Sequence, residues 1–337
     1  MSARNQIIPV FIPHLGCPHD CVFCNQKRIS GSLLPAGPED VKREIEEALK
    51  KLAGKNAPQL AFYGGSFTAI PAEEQETLLR AAKPYLERGF ISGIRLSTRP
   101  DAIDGTVLDR LSFYGVDTIE LGAQSMIDDV LWRSGRGHKA GDTVRASALI
   151  KERGFHLVLQ MMTGLPGSTA ERDIESAERI ASLMPDGVRI YPTVIIKDTE
   201  LYDMWIRGEY PEHTVEQAVE TCSEIVPIFD GKGISIIRIG LNPTDDLSAG
   251  SAVAGAYHPA LGELVKSRIM LKKALTLLGQ SSGRGVVLGV HPSEISQMVG
   301  QHRCNADAIC RQLGVKWVKI VPAEVARGEI VVREIAK

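Results

Sequence analysis

Three cysteines have the spacing in this sequence that most directly suggests chemistry. Cys17, Cys21 and Cys24 form a Cys-x3-Cys-x2-Cys motif. Thiolates are soft, anionic donors that bind iron–sulfur clusters well. Three thiolates on a four-iron cubane leave one iron without a protein ligand, so that iron is open to a further molecule. The spacing therefore predicts a [4Fe–4S] cluster held by Cys17, Cys21 and Cys24.

The alternative for this motif is a structural zinc site. His14 or His19 could be its fourth ligand, although zinc sites more often combine Cys-x2-Cys pairs with partners farther along the chain. The other cysteines, Cys222, Cys304 and Cys310, are scattered. We expect them to be small buried hydrophobic residues rather than ligands of a second cluster.

The segments around the motif alternate between strand and helix patterns. Short apolar stretches bounded by Gly or Pro predict strands at Ile7–Ile12, Gln59–Tyr63, Gly93–Ser97, Thr118–Gly122, Leu157–Met162 and Val188–Ile195. Helical patterns between them predict a parallel sheet with helices packed outside. Six such units predict an α/β fold, a partial (β/α)6 TIM-like barrel. Active sites in such folds lie at the carboxyl ends of the strands, where the three cysteines are expected.

Composition and charge limit the remaining possibilities. The 337 residues carry a formal net charge of −2 and are 44% hydrophobic, which is ordinary for a globular protein and gives no global basic field. No apolar run is long enough to span a bilayer, and the first residues do not resemble a signal peptide. We expect a cytoplasmic protein that does not bind membranes.

Its predicted divisions are a core domain (1–240), a loop and helical extension (241–280) and a C-terminal domain (281–337).

Several further motifs follow the cysteines in a defined order. They are Phe62-Tyr-Gly-Gly-Ser-Phe-Thr-Ala69, Leu96-Ser-Thr-Arg-Pro-Asp101, Ile119-Glu-Leu-Gly-Ala-Gln-Ser125, Ser134-Gly-Arg-Gly-His138, Gln160-Met-Met-Thr-Gly-Leu-Pro-Gly167 and Arg189-Ile-Tyr-Pro192. Together with the cysteines they resemble the radical S-adenosylmethionine (SAM) superfamily. The resemblance is strongest to the radical SAM domain of the Elongator catalytic subunit and its bacterial relatives, and covers about two thirds of the chain.

This resemblance implies an enzyme whose [4Fe–4S] cluster cleaves SAM reductively to a 5′-deoxyadenosyl radical, which abstracts hydrogen from a substrate. It implies an electron donor such as flavodoxin or ferredoxin. Ser97 stands where relatives carry an acidic residue. Lys197 is the candidate catalytic residue facing the substrate, the alternative being a solvated lysine. The residues implied to contact SAM are Phe23, Gly64, Gly65, Ser66, Ser97, Arg99, Gln124, Arg136, Gln160 and Tyr191.

The last 55 residues predict a second, smaller α/β unit. Strands at Val286–Val290 and Val315–Val321 flank two short helices, and this βααβ order is similar to the RNA-binding KH motif. A Gly-x-x-Gly turn clamps the nucleic-acid backbone in that motif, and here Gly300-Gln-His-Arg303 ends in arginine. Five Lys or Arg residues lie between Arg284 and Lys319 against two acidic ones, which favours an anionic partner. The alternative is an α/β cap that binds no RNA.

These observations leave three hypotheses. The preferred one is a radical SAM enzyme acting on RNA, with transfer RNA as the leading substrate. The second is a radical SAM enzyme acting on a small metabolite or peptide. The third is a non-catalytic RNA-binding protein with a structural metal site. We expect no counterpart of Elongator's acetyltransferase domain among the roughly 100 residues after the radical SAM-like part, so acetyl transfer does not follow from the resemblance.

Overall fold

A computed structural model describes residues 6–12, 17, 21–25, 36–52, 56–242, 250–279 and 283–336. The chain divides into two compact units. The first comprises Met1–Thr214 and Ile228–Tyr257, and the second comprises Val215–Pro227 and His258–Lys337. Within the described residues, no helix combines the length and the apolar character needed to cross a bilayer.

The first unit is built on a seven-stranded sheet in which every neighbouring pair is parallel. Its strands follow chain order except at the last position, where β8 lies beside β6. This arrangement confirms the predicted α/β partial barrel, and β8 extends it by a seventh strand. The strands are β1 (Ile7–Phe11), β2 (Gln59–Tyr63), β3 (Gly93–Thr98), β4 (Val116–Gln124), β5 (His156–Thr163), β6 (Gly187–Pro192) and β8 (Ser235–Ile239).

Helices connect these strands and cover one face of the sheet. Their starts are set partly by side-chain caps: Asp104 and Thr169 accept hydrogen bonds from backbone amides in the first turns of α3 (Gly105–Phe113) and α6 (Ala170–Ser182). The helices of this unit are α1 (Pro38–Lys51), α2 (Ala72–Glu87), α3 (Gly105–Phe113), α4 (Asp128–Arg133), α5 (Ala140–Glu152), α6 (Ala170–Ser182) and α7 (Glu200–Ile206). A further helix, α8 (Val215–Gly231), follows them, and its residues up to Pro227 belong to the second unit.

The two faces of the sheet differ in chemistry because alternate side chains of a strand point to opposite sides. One face carries fully buried apolar side chains such as Phe62, Leu96 and Ile119. The other carries polar side chains, including Tyr63 on β2 and Arg189 on β6.

The polar face is the inside of a curved sheet. In a flat sheet, β2 and β6 would be separated by four strand spacings, about 19 Å. Nevertheless, Arg189 Nη2 lies 3.3 Å from the Tyr63 hydroxyl. The two side chains meet because the sheet curls, so this face lines the lumen of a half-barrel.

The structure differs from the sequence prediction after β6. The predicted strand Val188–Ile195 is two strands, because the chain leaves the barrel sheet at Thr193 and continues as β7 (Val194–Ile196). The partner of β7 is β9 (Ala252–Gly255), which pairs with it in antiparallel fashion within a segment predicted to be a loop. A Cβ atom on Gly255 would lie 2.9 Å from the carbonyl oxygen of Thr193, so the close approach of these two strands requires glycine.

The second unit confirms the predicted βααβ order. Its sheet has the strand order β11–β10–β12, in which β10 (Gly285–Val290) is parallel to β11 (Trp317–Pro322) and antiparallel to β12 (Ile330–Ala336). The third strand, β12, was not predicted. Three helices, α9 (Leu261–Leu278), α10 (Ile295–Val299) and α11 (Cys304–Leu313), pack on the sheet. Buried side chains such as Met270, Val286 and Ile309 form their common core.

Candidate functional site

The three cysteines lie beyond the carboxyl end of β1, as predicted. Each is partly exposed and none forms a disulfide. The Cys24 amide donates to the Cys21 carbonyl at 3.0 Å, which closes a tight turn between these two cysteines. His14 and His19, the alternative zinc ligands, lie outside the described residues.

Backbone hydrogen bonds hold the cysteine segment against the rest of the barrel unit. The Val22 amide donates to the carbonyl of Ser134 after α4, and the Val22 carbonyl accepts from the Leu201 amide in α7. Cys17 Sγ lies 3.6 Å from Ser66 Oγ. Segments far apart in sequence therefore fix Cys17 and the turn from Cys21 to Cys24.

Arg136 brings a positive charge directly to one predicted cluster ligand. Its Nη1 donates to Cys21 Sγ at 3.2 Å, and its Nη2 donates to the Gly122 carbonyl at 2.7 Å. The residue is only 7% exposed. Its Nε is buried and makes no hydrogen bond within the described residues, which leaves one donor available to a bound group.

Arg99 supports Arg136 through the backbone. Its guanidinium binds Asp101 at 2.9 and 3.1 Å and donates from Nη2 to the carbonyl of Arg136 at 2.5 Å. Arg99 is almost fully buried. The sequence predicted a SAM contact for Arg99, and the contacts present here are those of a residue that positions Arg136.

His138 was not among the residues predicted for the site. It is 5% exposed, and neither ring nitrogen makes a well-formed hydrogen bond within the described residues. Burial, reinforced by the nearby charge of Arg136, lowers the pKa of His138 to about 4. Its place in the Arg-Gly-His segment was the signal that could have identified it.

Gln124, the last residue of β4, meets Gln160 on β5. Gln160 Nε2 donates to Gln124 Oε1 at 3.2 Å. Gln124 has a left-handed backbone (φ 63°) where the β4–β5 register shifts. Such a conformation is unfavourable for a residue with a side chain and is often kept at functional sites. A Cβ atom on Gly122 would lie 2.9 Å from Gln124 Nε2, so glycine leaves room for the Gln124 side chain to contact Gln160.

An apolar wall lies beside the Gln124–Gln160 pair. Phe23, next to the third cysteine, and Tyr191 on β6 pack against one buried cluster of Val130, Met162 and Leu165. The sequence predicted that Phe23 and Tyr191 contact the adenine of SAM. The structure brings the two rings to the same apolar cluster, and an adenine ring needs a surface of this kind.

The glycine-containing segment after β2 lies near Cys17. Gly64 has φ 95°, a backbone conformation that glycine adopts readily, and Gly65 follows it. Ser66 is buried and starts the short helix Phe67–Ala69. Ser97, at the corresponding level of β3, donates to the Phe62 carbonyl at 3.4 Å.

Lys197 lies at the edge of this region with an exposed side chain. Its amide donates to the Ser251 carbonyl at 3.0 Å, and its carbonyl accepts from Asn25 Nδ2 at 3.4 Å, next to Cys24. Lys197 therefore borders the cysteine segment, and its catalytic role stays a prediction.

A network of charged side chains occupies the lumen below these residues. Glu120 accepts hydrogen bonds from Tyr63, Arg95 and Arg189 at 2.8 to 3.3 Å. Burial, with the Glu120 carboxylate next, raises the pKa of Tyr63 well above its usual range, so Tyr63 remains a neutral donor. This group was not predicted from the sequence, although polar residues at every second position of apolar strands indicate it.

The donor set fits an iron–sulfur cluster and SAM. Among the described residues, no three His, Cys, Asp or Glu side chains are gathered as ligands of a single metal ion would be. Thiolates on a cubane bind different irons and are therefore spread more widely than ligands of one ion. The Arg136 guanidinium, the Gln124–Gln160 pair and the apolar wall beside Phe23 provide polar and apolar contacts suited to SAM. When bound, the cluster supplies the electron that cleaves the sulfonium of SAM.

Comparison with protein families agrees with this site. The model of the Radical SAM superfamily matches residues 11–180, and that of the Radical_SAM C-terminal domain matches residues 185–270. The first match covers about half of the chain and includes the three cysteines, Gln124, Arg136 and Gln160.

Individual relatives give the same result. The tRNA uridine(34) acetyltransferase of Methanocaldococcus infernus is 29% identical in an alignment of 309 positions that covers 80% of this chain and 57% of that protein. Human Elongator complex protein 3 is 32% identical over 66% of this chain and 44% of its own length. This chain thus spans about half the length of the curated relatives it matches.

Solved structures also share the fold. The archaeal Methanocaldococcus infernus Elp3 with an N-terminal deletion superposes with a TM-score of 0.65 at 27% identity, covering 82% of this chain and 64% of that one. Coproporphyrinogen III oxidase (HemN) from Escherichia coli superposes with a TM-score of 0.51 at 21% identity, covering 68% and 53%; this similarity concerns the fold alone. The chain therefore belongs to the radical SAM superfamily, whose enzymes bind a [4Fe–4S] cluster and SAM.

Proposed function

We propose that this radical SAM enzyme abstracts a hydrogen atom from RNA, with transfer RNA as the leading substrate. In this proposal Cys17, Cys21 and Cys24 hold the cluster. SAM is positioned by Arg136, by the Gln124–Gln160 pair, by the segment from Gly64 to Ser66 and by the wall containing Phe23 and Tyr191. Lys197 faces the substrate at the rim.

The observation that carries the RNA proposal is the turn between α10 and α11 in the second unit. Arg303 has φ 65° and ψ 18°, a left-handed conformation, at the position where the KH motif has its second glycine. Glycine adopts a left-handed backbone readily, and here an arginine adopts it. Gln301, His302 and Arg303 are all exposed, so the turn presents a guanidinium where KH domains approach a phosphate backbone.

Surface charge supports the same proposal. The five basic residues between Arg284 and Lys319 are all exposed: Arg284, Arg303, Arg311, Lys316 and Lys319. One of the two acidic residues, Glu294, already accepts a hydrogen bond from the Gly328 amide. Exposed cations are the surface feature that attracts nucleic-acid phosphates.

The names of relatives point to transfer RNA, since two archaeal relatives are tRNA uridine(34) acetyltransferases. Because this chain covers only about half of those proteins, acetyl transfer is not part of the proposal. The proposal does include an electron donor of the flavodoxin or ferredoxin type and a location in the cytoplasm, where thiols stay reduced.

The test is retention of the anaerobically reconstituted protein on immobilised transfer RNA over a range of salt concentrations. Arg303→Gly removes the guanidinium while allowing the left-handed backbone. It should weaken retention and reduce the slope of log affinity against log salt by about one. Arg207→Gln removes an exposed positive charge from the residue that follows α7 in the first unit and should leave retention unchanged.

Two outcomes would contradict the proposal. Absence of retention at low salt would favour the alternative of a small metabolite or peptide as substrate. Equal losses of retention for Arg303→Gly and Arg207→Gln would show that retention depends only on net charge and that the turn does not bind RNA.

A further inference from the structure

The lumen network contains more positive than negative charge. Arg95 Nη1 lies 3.0 Å from Glu120 Oε1, and Arg189 Nε lies 2.8 Å from Glu120 Oε2. The side chains of Arg95, Glu120 and Arg189 are 13%, 5% and 11% exposed. Among the described residues, Glu120 is the only carboxylate paired with either arginine, so two guanidiniums share one negative charge.

A third cation lies close to this group. Arg238 on β8 is in register with Arg189 and donates to the carbonyls of Gly240 and Leu241 at 2.8 and 3.0 Å. Carbonyl oxygens stabilise a guanidinium but do not neutralise it. Arg238 is itself a cation and its carbonyl partners are neutral. Neither therefore offsets the positive charge of Arg95 and Arg189.

The network lies directly below the proposed SAM contacts. Gly122 and Arg189 are both in register with Gln160, and Glu120 precedes Gly122 by two residues. Two residues along a strand are about 7 Å. A molecule bound against Gln124 and Gln160 is thus within reach of the guanidiniums of Arg95 and Arg189.

One donor in this group is unused. Arg95 Nε is buried and has no hydrogen-bond partner among the described residues. Burying a guanidinium is costly unless its charge is paired and its donors are satisfied. An oxygen-bearing anion would compensate the excess charge and satisfy the free donor together.

We propose that the triad of Arg95, Glu120 and Arg189 is a binding site for one oxyanion of the substrate, either a carboxylate or a phosphate. Planar guanidiniums present paired donors that match the oxygens of these groups. Glu120 bridges the two guanidiniums, and the Tyr63 hydroxyl donates a hydrogen bond that fixes the Glu120 carboxylate. The proposal rests on the radical SAM class of the enzyme and applies whether or not the substrate is RNA.

Substitutions of opposite sign distinguish this site from a purely structural ion cluster. Arg95→Gln and Arg189→Gln each remove a positive charge and should weaken anion binding about tenfold or more. Glu120→Gln keeps the side-chain shape while increasing the net positive charge, so it should strengthen binding severalfold. Arg207→Gln, an exposed arginine paired with Glu200 and Glu209, is the matched control and should bind like the wild type.

The experiment titrates the reconstituted protein with inorganic phosphate and, separately, with acetate, at constant ionic strength in chloride. Dissociation constants are measured by calorimetry for the wild type and all four variants, after circular dichroism has shown that each is folded. Tighter binding of phosphate than of acetate would identify a phosphate-bearing substrate, and the reverse order would identify a carboxylate. If Glu120→Gln does not fold, Arg95→Lys replaces it: this variant keeps the charge but loses the paired donors, and should bind at intermediate strength.

Three results would overturn the proposal. The first is the absence of phosphate and acetate binding to the folded wild type. The second is equal binding by the wild type, Arg95→Gln and Arg189→Gln, which would mean that the anions bind elsewhere. The third is competition between SAM and acetate, because the oxyanion bound by the triad would then be the carboxylate of SAM. None of these results bears on retention of transfer RNA, so this proposal and the RNA proposal can fail separately.

Discussion

Arg136 combines two contacts that matter for cluster chemistry: a donor to Cys21 Sγ and a donor to the Gly122 carbonyl. Hydrogen bonds and positive charge at a cluster sulfur stabilise the more negative, reduced state and so influence the reduction potential. Arg99 holds the backbone of Arg136 in place, so the guanidinium reaches the sulfur from a fixed position.

Arg136→Gln should therefore make the cluster harder to reduce. The expected result is a more negative midpoint potential in a redox titration followed by electron paramagnetic resonance, at unchanged iron content. Arg133→Gln removes an exposed arginine three residues away that pairs with Asp129 and should leave the potential as in the wild type. A wild-type potential in Arg136→Gln would show that the contact with Cys21 has no effect on the cluster.

His138 should make the folded state sensitive to acid. Burial lowers the pKa of His138 to about 4 in the folded state, from a usual value of 6.5, so unfolding takes up a proton between these pH values. The stability contributed by the neutral imidazole is present above about pH 6.5 and is lost as the pH falls towards 4, amounting to about 3 kcal/mol.

His138→Gln should accordingly flatten the loss of unfolding free energy between pH 7 and pH 4.5 in urea titrations. His213 contributes in the same direction, because burial also lowers its pKa to about 4, so part of the slope should remain. Asp173 acts in the opposite direction, since burial raises its pKa to about 7. Identical slopes in the wild type and His138→Gln would show that His138 is not a buried neutral imidazole.

At the scale of elements, the carboxyl end of β4 determines how the site is built. A register shift between Gly122 and Gln124 turns the Gln124 side chain towards Gln160, and Arg136 donates to the Gly122 carbonyl. This irregular strand end therefore places two proposed SAM contacts and the donor to Cys21 Sγ around one glycine.

Gly122→Ala should damage this strand end. The new Cβ would lie 2.9 Å from Gln124 Nε2 and 3.3 Å from Arg136 Nη2, so the expected loss is about 1–3 kcal/mol of stability together with weaker SAM binding. Gly141→Ala in α5 is the matched control, because a Cβ there meets nothing within 4 Å. Thermal unfolding and equilibrium dialysis with SAM measure both effects, and wild-type SAM affinity in Gly122→Ala would contradict this role of Gly122.

The sequence was most informative about strands that are apolar and bounded by turn residues. The predicted strand Gln59–Tyr63 has the observed bounds, and Thr118–Gly122 falls within the longer β4. Periodicity did not reveal the end of β6, because Val194, Ile195 and Ile196 continue the apolar run after the chain has left the sheet. It also did not reveal β9, since its small residues resemble those of a loop and its pairing with β7 is a tertiary contact.

On the scale of the whole molecule, the sequence predicted the half-barrel and the smaller βααβ unit, and the family comparison confirms the enzyme class. The motif order also indicated Gln124, Arg136 and Gln160 individually. The contact of Arg136 with Cys21 and the triad around Glu120 depend on how the sheet curls. The order of residues in the sequence does not specify that curvature. These contacts could therefore not be predicted from the sequence, because they form only where β2, β3, β4 and β6 surround one lumen.

The most direct test of the enzyme class is formation of 5′-deoxyadenosine. Protein reconstituted anaerobically with iron and sulfide, reduced with dithionite and supplied with SAM, should release 5′-deoxyadenosine. Substitution of Cys17, Cys21 and Cys24 by alanine should abolish both the cluster and the product. Failure of the fully reconstituted wild type to form any 5′-deoxyadenosine would contradict the conclusion that this chain is a radical SAM enzyme.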